Sequence, residues 1–252
     1  MPSLVDSARG LPLVTDLLSR CTFPTENSYV DCAVSGGADS VALLVLARAA
    51  NLSVTAWHVD HGLRENSNSE AQIVGQLATQ LGAQFESRSV TIEQGANTEA
   101  RAREARYGVL PRGVMTGHTA DDQAETILIN LLRGSGTRGL AGMQPTAQRP
   151  LLNIRRSETK ALCTALGIGV FNDPTNDDSR FQRNRIRHEV LPLLESLAKR
   201  DLVPVFTRQA DLLRDDDDLL NELASALDPT DAVAIANAPT ALSRRAIRSW
   251  LT

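Results

Sequence analysis

Aromatic side chains are scarce in this sequence, 4 % of 252 residues. Few stacking platforms are therefore available of the kind that single-strand binders place on a sheet face, and any contact with nucleic acid must rest on arginines. Cysteine is scarce as well. Cys21, Cys32 and Cys163 are widely spaced, odd in number and without a C-x-x-C pair, so neither a disulfide framework nor a zinc site is expected, and a reducing compartment is the simplest setting. The longest apolar run, Val41 to Ala47, is interrupted by Arg48, well short of the roughly 20 residues that span a bilayer. The first residues carry Asp6 and no extended apolar core, so no signal peptide is expected. Together these absences predict a cytoplasmic protein with no membrane partner. An excess of basic charge is also missing. The net charge is −4, so the positions of the arginines matter more than their number. No internal repeat or low-complexity linker is evident.

Hydrophobic residues make up 42 % and charged residues 22 %, an ordinary balance for a chain that buries a core in one large domain, or in one domain with a small appendage. Strands are predicted at Tyr29–Val34, Ser53–Val59, Gln84–Val90 and Gly113–Thr116. Helices are predicted at Ser40–Ala50, Ser69–Leu81, after Asn97 and Thr98 as far as Leu110, at Ala120–Leu132 and at Ser157–Leu166. This alternation predicts an α/β fold with a doubly wound, mainly parallel, Rossmann-like sheet, whose ligands sit at the carboxyl ends of the strands. The α/β domain is expected to span residues 1–194. A smaller helical domain is expected over 195–252, with the acidic run Asp215 to Asp218 as a solvated helix face.

Three polar turns fall at predicted strand ends: Ser35–Ser40, His58–Arg64 and Gly117–Glu125. The first reads Ser35-Gly36-Gly37-Ala38-Asp39-Ser40 between a strand and a helix, where glycines let the backbone wrap an anion and a helix N-terminus supplies N–H groups. A phosphate is the natural guest. The loop lacks the Gly-Lys-Ser/Thr ending of a Walker A loop and is not Gly-x-Gly-x-x-Gly, which weakens kinase and dinucleotide readings. Ser35 and Asp39 would serve equally as ordinary helix caps. In the third turn, Asp122 and Glu125 are three residues apart and so share a helix face, where two carboxylates can receive a cation. First-turn acids that stabilise the helix dipole are the plainer alternative.

The loop from Ser35 to Ser40 resembles the signature of the ATP pyrophosphatase, or PP-loop, family. Other stretches are similar to the lysidine synthetases within that family: His58-Val59-Asp60-His61-Gly62-Leu63-Arg64, Gly117-His118-Thr119-Ala120-Asp121-Asp122-Gln123-Ala124-Glu125-Thr126, and Arg133 to Leu140. The matches run from about Val30 to about Leu194. The resemblance implies ATP cleavage between the α and β phosphates, with Ser35, Gly36, Gly37, Ala38, Asp39 and Ser40 around pyrophosphate and His58, Asp60 and Gly117 beside the nucleotide. Asp39 would help to hold Mg²⁺. Asp122 and Glu125, with Asp121 nearby, would hold the ammonium groups of free L-lysine and help deprotonate the attacking amine. His118 would position the α-phosphate or the activated base. The family's Ala-Arg-x-x-Arg-Tyr pattern, here Ala102 to Tyr107, implies that Arg103 or Arg106 stabilises phosphate charge.

Arg180, Arg183, Arg185, Arg187 and His188 follow Asn172-Asp173-Pro174-Thr175-Asn176 as they do in the family. As a group they are assigned to RNA phosphates, pairing with neighbouring acids being the alternative for any one of them. The implied reaction adenylates the C2 oxygen of the wobble cytidine in a CAU-anticodon tRNA(Ile), after which lysine displaces AMP. The expected partners are that tRNA, lysine and a second copy in a homodimer. Many members continue into further tRNA-binding modules, whereas this sequence stops at Thr252, as a short form or a truncated one. Two other readings are weighed. A tRNA 2-thiolase of the same family is disfavoured by the lack of a C-x-x-C pair, and a non-catalytic tRNA binder by the intact phosphate loop.

Overall fold

The computed structural model describes residues 3–60, 67–90, 105, 107–171 and 178–251. By its internal contacts the chain forms two compact units, one of residues 1–122 with 144–179 and one of 123–143 with 180–252.

In the first unit, helices α1 (Leu4–Arg9) and α2 (Pro12–Arg20) lead into an alternation of β1 (Tyr29–Ala33), α3 (Ala38–Ala49), β2 (Ser53–Asp60), α4 (Ser67–Gln80) and β3 (Gln84–Ser89). Helix α5 (Ala120–Leu132) begins in this unit and runs into the second, where α6 (Thr137–Leu140) follows. The chain then returns to the first unit for α7 (Arg156–Ala165). Strand β2 lies between β1 and β3 and is parallel to both, with Ala56 level with Cys32 on one side and Phe85 on the other. On the far edge of β1, Met115 forms a parallel bridge to Cys32: its N–H donates to the Asp31 carbonyl at 2.8 Å and its carbonyl accepts the Ala33 N–H at 2.9 Å. The fourth strand predicted at 113–116 is thus reduced to one bridge. A turn in which the Val114 N–H reaches the Pro111 carbonyl, with Gly113 at φ +83°, keeps the preceding residues out of the ladder.

Successive strands therefore move away from β1 in one direction, and the chain then returns to the opposite side of β1. In a parallel sheet this reversal leaves a crevice between the two carboxyl ends. Helix α3 explains why the reversal is stable. Every residue from Ser40 to Ala47 is buried, because α3 packs on β1 and β2 and is covered in turn by α1, α2 and α7. A helix apolar on all sides belongs inside a core, and the Val-Ala-Leu-Leu-Val-Leu-Ala run supplies it.

The second unit is helical throughout its described residues. Helix α8 (Gln182–Arg185), a π turn at Ile186–Val190 and α9 (Leu191–Ala198) run on directly, followed by α10 (Val203–Ser225), α11 (Ala232–Asn237) and α12 (Thr240–Leu251). Residues 180–194 and 123–143 group with these helices, so the helical unit begins earlier along the chain than position 195 and takes in part of α5. No helix among the described residues is long and apolar enough to cross a membrane.

The acidic run corrects the expectation of a fully solvated face. Asp215, Asp216 and Asp218 are exposed, but Asp217 is buried. Four consecutive residues cover more than a full turn of helix, so one of them must point inward. Asp217 accepts hydrogen bonds from the Thr137 hydroxyl at 2.7 Å, the Arg245 guanidinium at 2.7 Å and the Asn221 amide at 3.0 Å. Burial alone would raise its pKa, but these donors and the Arg245 charge outweigh burial and hold it below the ordinary aspartate range. A lowered folded-state pKa contributes stability above the unfolded value and loses it as the pH falls. Asp217→Asn is therefore expected to lower the urea midpoint at neutral pH, with the gap to wild type closing as acid protonates Asp217. A gap independent of pH would show that the ionised form is not what matters.

Candidate functional site

The loop after β1 is braced before any ligand arrives. The Val34 N–H donates to the Trp57 carbonyl at 2.8 Å, which carries the pairing of β1 and β2 to the loop's edge. Gly36 has φ +89°, and its carbonyl accepts the Phe171 N–H at 2.9 Å. Gly37 is extended and caps α3. The Ser40 hydroxyl donates to the Gly37 carbonyl at 2.9 Å and accepts the Ser35 N–H at 3.2 Å, with the Ser35 hydroxyl also 3.2 Å away. In this state the two serine hydroxyls hold the loop's shape. The first amides of α3 have no acceptor within the helix and carry its positive end, which leaves backbone N–H groups as the loop's anion donors.

Gly117 closes the other side of the crevice. A Cβ there would stand 2.7 Å from the Asp39 carbonyl oxygen and 3.0 Å from the Ser40 nitrogen, so the segment after Met115 abuts the start of α3 with no room for a side chain. Asp39 projects from that start. Its Oδ1 accepts the Thr159 hydroxyl and its Oδ2 faces the Arg156 Nε at 3.5 Å. Burial pushes its carboxyl above the ordinary aspartate range. The Thr159 hydroxyl and Arg156 act against that shift, and the Asp122 charge adds to it.

Asp122 is tied both to the start of α5 and to Arg156. Its Oδ2 accepts the Thr119 N–H and hydroxyl, each at 2.9 Å, and so caps α5. Its Oδ1 accepts the Arg156 Nη2 at 3.0 Å. Asp121 is held by the neighbouring arginine: Arg155 Nε and Nη2 lie 3.2 and 3.3 Å from its carboxylate, and the Arg156 backbone N–H donates to it at 2.8 Å. Three carboxylates are thus balanced by two guanidiniums from the start of α7. Arg155, Arg156 and Thr159 were missed by sequence reasoning. The available signal was a pair of arginines opening a helix, where the dipole disfavours positive charge and nearby carboxylates are needed to offset it.

Other expected residues take different places. His58 is buried on β2, its Nδ1 2.9 Å from the Val34 carbonyl, and so joins the end of β2 to the end of β1 behind the loop. Asp60 is half-buried at the last position of β2 and accepts the Val90 N–H through its carbonyl. His118 is half-buried, its Nδ1 2.7 Å from the Thr116 hydroxyl. Arg103 and Arg106, with Arg101, the His61–Arg64 stretch and Asn172–Asn176, lie outside the described residues.

Glu125, one turn beyond Asp122 on α5, belongs to the helical unit. Its side chain is completely buried. Arg183 Nε donates to Oε2 at 2.7 Å, Arg187 Nε to Oε1 at 2.7 Å, and Arg187 Nη2 to Oε2 at 3.1 Å. Two of the arginines grouped for RNA thus make contacts inside the protein. A third, Arg185, pairs with Glu189 at 3.2 Å on the exposed side.

Cys32 and Cys163 are buried, and burial pushes their thiols up to about 12 and about 11. Such thiols stay protonated and inert near neutral pH. For Mg²⁺ the fit rests on Asp39 Oδ2 and Asp122 Oδ1, two hard oxygens brought to one guanidinium. Mg²⁺ bound mainly through substrate phosphates needs only one or two protein carboxylates. Among the described residues no group of three or more His, Cys, Asp or Glu side chains could hold a metal on its own.

Comparison with known proteins agrees with this geometry. The PP-loop domain family matches residues 14–194. A tRNA(Ile)-lysidine synthase of Rhodococcus erythropolis is 43 % identical over 235 residues, 87 % of this chain and 72 % of that protein. One of Mycobacterium tuberculosis is 42 % identical over 238 residues, 86 % of this chain and 73 % of that one. Among solved structures, the U34-tRNA thiolase NcsA of Methanococcus maripaludis aligns with a TM-score of 0.63 at 18 % identity, over 84 % of this chain and 80 % of that one. At that identity the likeness concerns the fold.

Proposed function

The chain belongs to the PP-loop family and, within it, to the tRNA(Ile)-lysidine synthases; from this we propose that it uses ATP to attach lysine to the wobble cytidine of CAU-anticodon tRNA(Ile), releasing pyrophosphate and AMP. The observation that carries the reading is the meeting of the loop after β1 with Gly117 and Asp122 at the reversal of the sheet. Backbone anion donors and a carboxylate pair close to one another support this reading.

The C2 oxygen of the cytidine attacks the α-phosphorus, and pyrophosphate departs toward the amides at the start of α3, whose fixed dipoles stabilise the charge that develops there. Adenylation turns C2 into an electrophile with a good leaving group. The ε-amine of lysine then forms the new C–N bond at C2, AMP leaves with its oxygen, and the amine's extra proton passes to a neighbouring base or to water. Asp39 and Asp122 are the residues that would hold Mg²⁺, which supplies charge neutralisation on the phosphates when bound. Asp122 also presents the negative charge that favours lysine, and His118 would position the α-phosphate or the activated base. Arg103 or Arg106 would act on the phosphates.

A thiolase reading gains nothing from the buried, protonated cysteines. The deciding measurement is AMP formation by the purified chain with CAU-anticodon tRNA(Ile), with lysine omitted and then replaced by each other amino acid. AMP release and radiolabelled lysine incorporation are expected to require both tRNA and lysine. Turnover indifferent to lysine would leave the ATP site standing and remove the lysidine reading.

A further inference from the structure

Arg156 belongs to none of the motifs that mark the site, yet it is the group that Asp39 and Asp122 share. Its Nη2 lies 3.0 Å from Asp122 Oδ1 and its Nε 3.5 Å from Asp39 Oδ2. The other oxygen of each carboxylate is held by uncharged donors, the Thr159 hydroxyl for Asp39 and the Thr119 amide and hydroxyl for Asp122. The two oxygens that face Arg156 are therefore the ones directed at a cation. Two carboxylates brought this close out of water repel each other unless a positive charge lies between them. Arg155, one residue earlier, has a different task. It grips Asp121 through two nitrogens and, with the Arg156 backbone N–H, fixes the start of α7. Arg155 is an anchor, while Arg156 reaches Asp39 at a looser distance.

We propose that Arg156 is a displaceable internal counter-ion: its guanidinium occupies the cation position between Asp39 and Asp122 in the ligand-free protein, and the metal of ATP·Mg²⁺ must displace it. The inference rests on the reading of these two aspartates as the metal's protein ligands. Arg156 thereby keeps the carboxylates aimed at one point and at the same time lowers the site's affinity for a free divalent cation, so that metal enters with its nucleotide rather than alone. A guanidinium is weakly hydrated, planar and always charged, which suits a group that must leave one set of oxygens and find another. Once displaced it remains beside the phosphate loop, where phosphate oxygens are natural acceptors. Arg156 is thus a positioning residue of the proposed reaction.

The test is Mn²⁺ binding to the full chain without nucleotide, read by the loss of the free-ion signal in electron paramagnetic resonance. Arg156→Gln is expected to bind Mn²⁺ about tenfold tighter than wild type or more, equivalent to about 1.4 kcal/mol. Arg156→Lys keeps the charge and is expected to stay near wild type. A Gln variant that binds Mn²⁺ no tighter than wild type, or not at all, overturns the proposal. Should that variant not fold, the wild-type protein decides. Phenylglyoxal modification of Arg156, mapped by peptide mass spectrometry, is expected to rise when Mn²⁺ is added, and an unchanged or lower yield overturns the proposal. The lysine-incorporation assay is independent of both readouts. Tighter Mn²⁺ binding by the Gln variant, together with no lysine incorporation by the wild-type protein, would uphold the counter-ion and reject the lysidine reading.

Discussion

Replacing Glu125 by alanine is expected to lower the unfolding free energy of the chain by about 3–5 kcal/mol, the usual cost of removing one partner from a buried ion pair. The carboxylate is fully buried and holds two guanidiniums at 2.7 Å each. Truncation removes the charge that Arg183 and Arg187 both hold, on a helix whose neighbouring positions Ala124, Ile127 and Leu128 are buried. Glu125→Gln keeps the volume and loses the charge, so a smaller drop is expected. Urea unfolding of the whole chain measures both. The result also separates two roles for this residue. If Glu125 served substrate alone, the alanine variant would lose lysine incorporation while unfolding at the wild-type midpoint, and the structural account of the triad would be wrong.

Gly36→Ala is expected to lower AMP formation about 100-fold, the scale on which a displacement of about 1 Å acts in a positioned site. The backbone at φ +89° is unfavourable for any L-residue by about 1–2 kcal/mol. Space is the larger obstacle. A Cβ would stand 2.3 Å from Phe171 Cδ2 and 2.9 Å from Cε2, and the Phe171 N–H is itself bonded to the Gly36 carbonyl. Because that bond holds the Phe171 backbone against the loop, the ring must turn out of its place or the amides at the start of α3 must move. Gly37→Ala is the control. Its φ of −74° is ordinary and its Cβ would meet nothing closer than 3.7 Å, so it is expected to retain far more activity. Equal losses in the two variants would place the requirement in the glycine pair rather than in the contact with Phe171.

Much of the sheet was legible because local rules decide it. An apolar run bounded by Ser-Gly-Gly can only be a strand that turns into a helix here, and the loop's chemistry follows from that placement. The capping and dipole rules likewise located Asp122 at the start of α5. Pairing across long separations was not legible. Arg156 meets Asp39 from more than a hundred positions away, and Glu125 finds its arginines 58 and 62 residues downstream. Spacing within a helix shows which side a carboxylate takes but not what waits there. Two cues were available for Glu125: an acid that leads into the apolar run Ile127–Ile129 of a helix needs a partner if that helix is buried, and arginines four apart, as 183 and 187 are, present two guanidiniums to one point. The acidic run misled for the opposite reason, since composition suggested solvent where helical geometry required one member to turn inward. The strand at 113–116 shrank to a bridge because Pro111 and Gly113 favour a turn over extension.

Helix α3 joins the phosphate loop to the deepest part of the first unit. A segment with no face on solvent cannot fray on its own, so its amides exchange hydrogen only when the surrounding core opens. The loop is spliced directly to that segment, so its frame, though not its unbonded amides, is anchored in the part of the unit that opens last. The cradle's frame thus stands ready before ATP arrives.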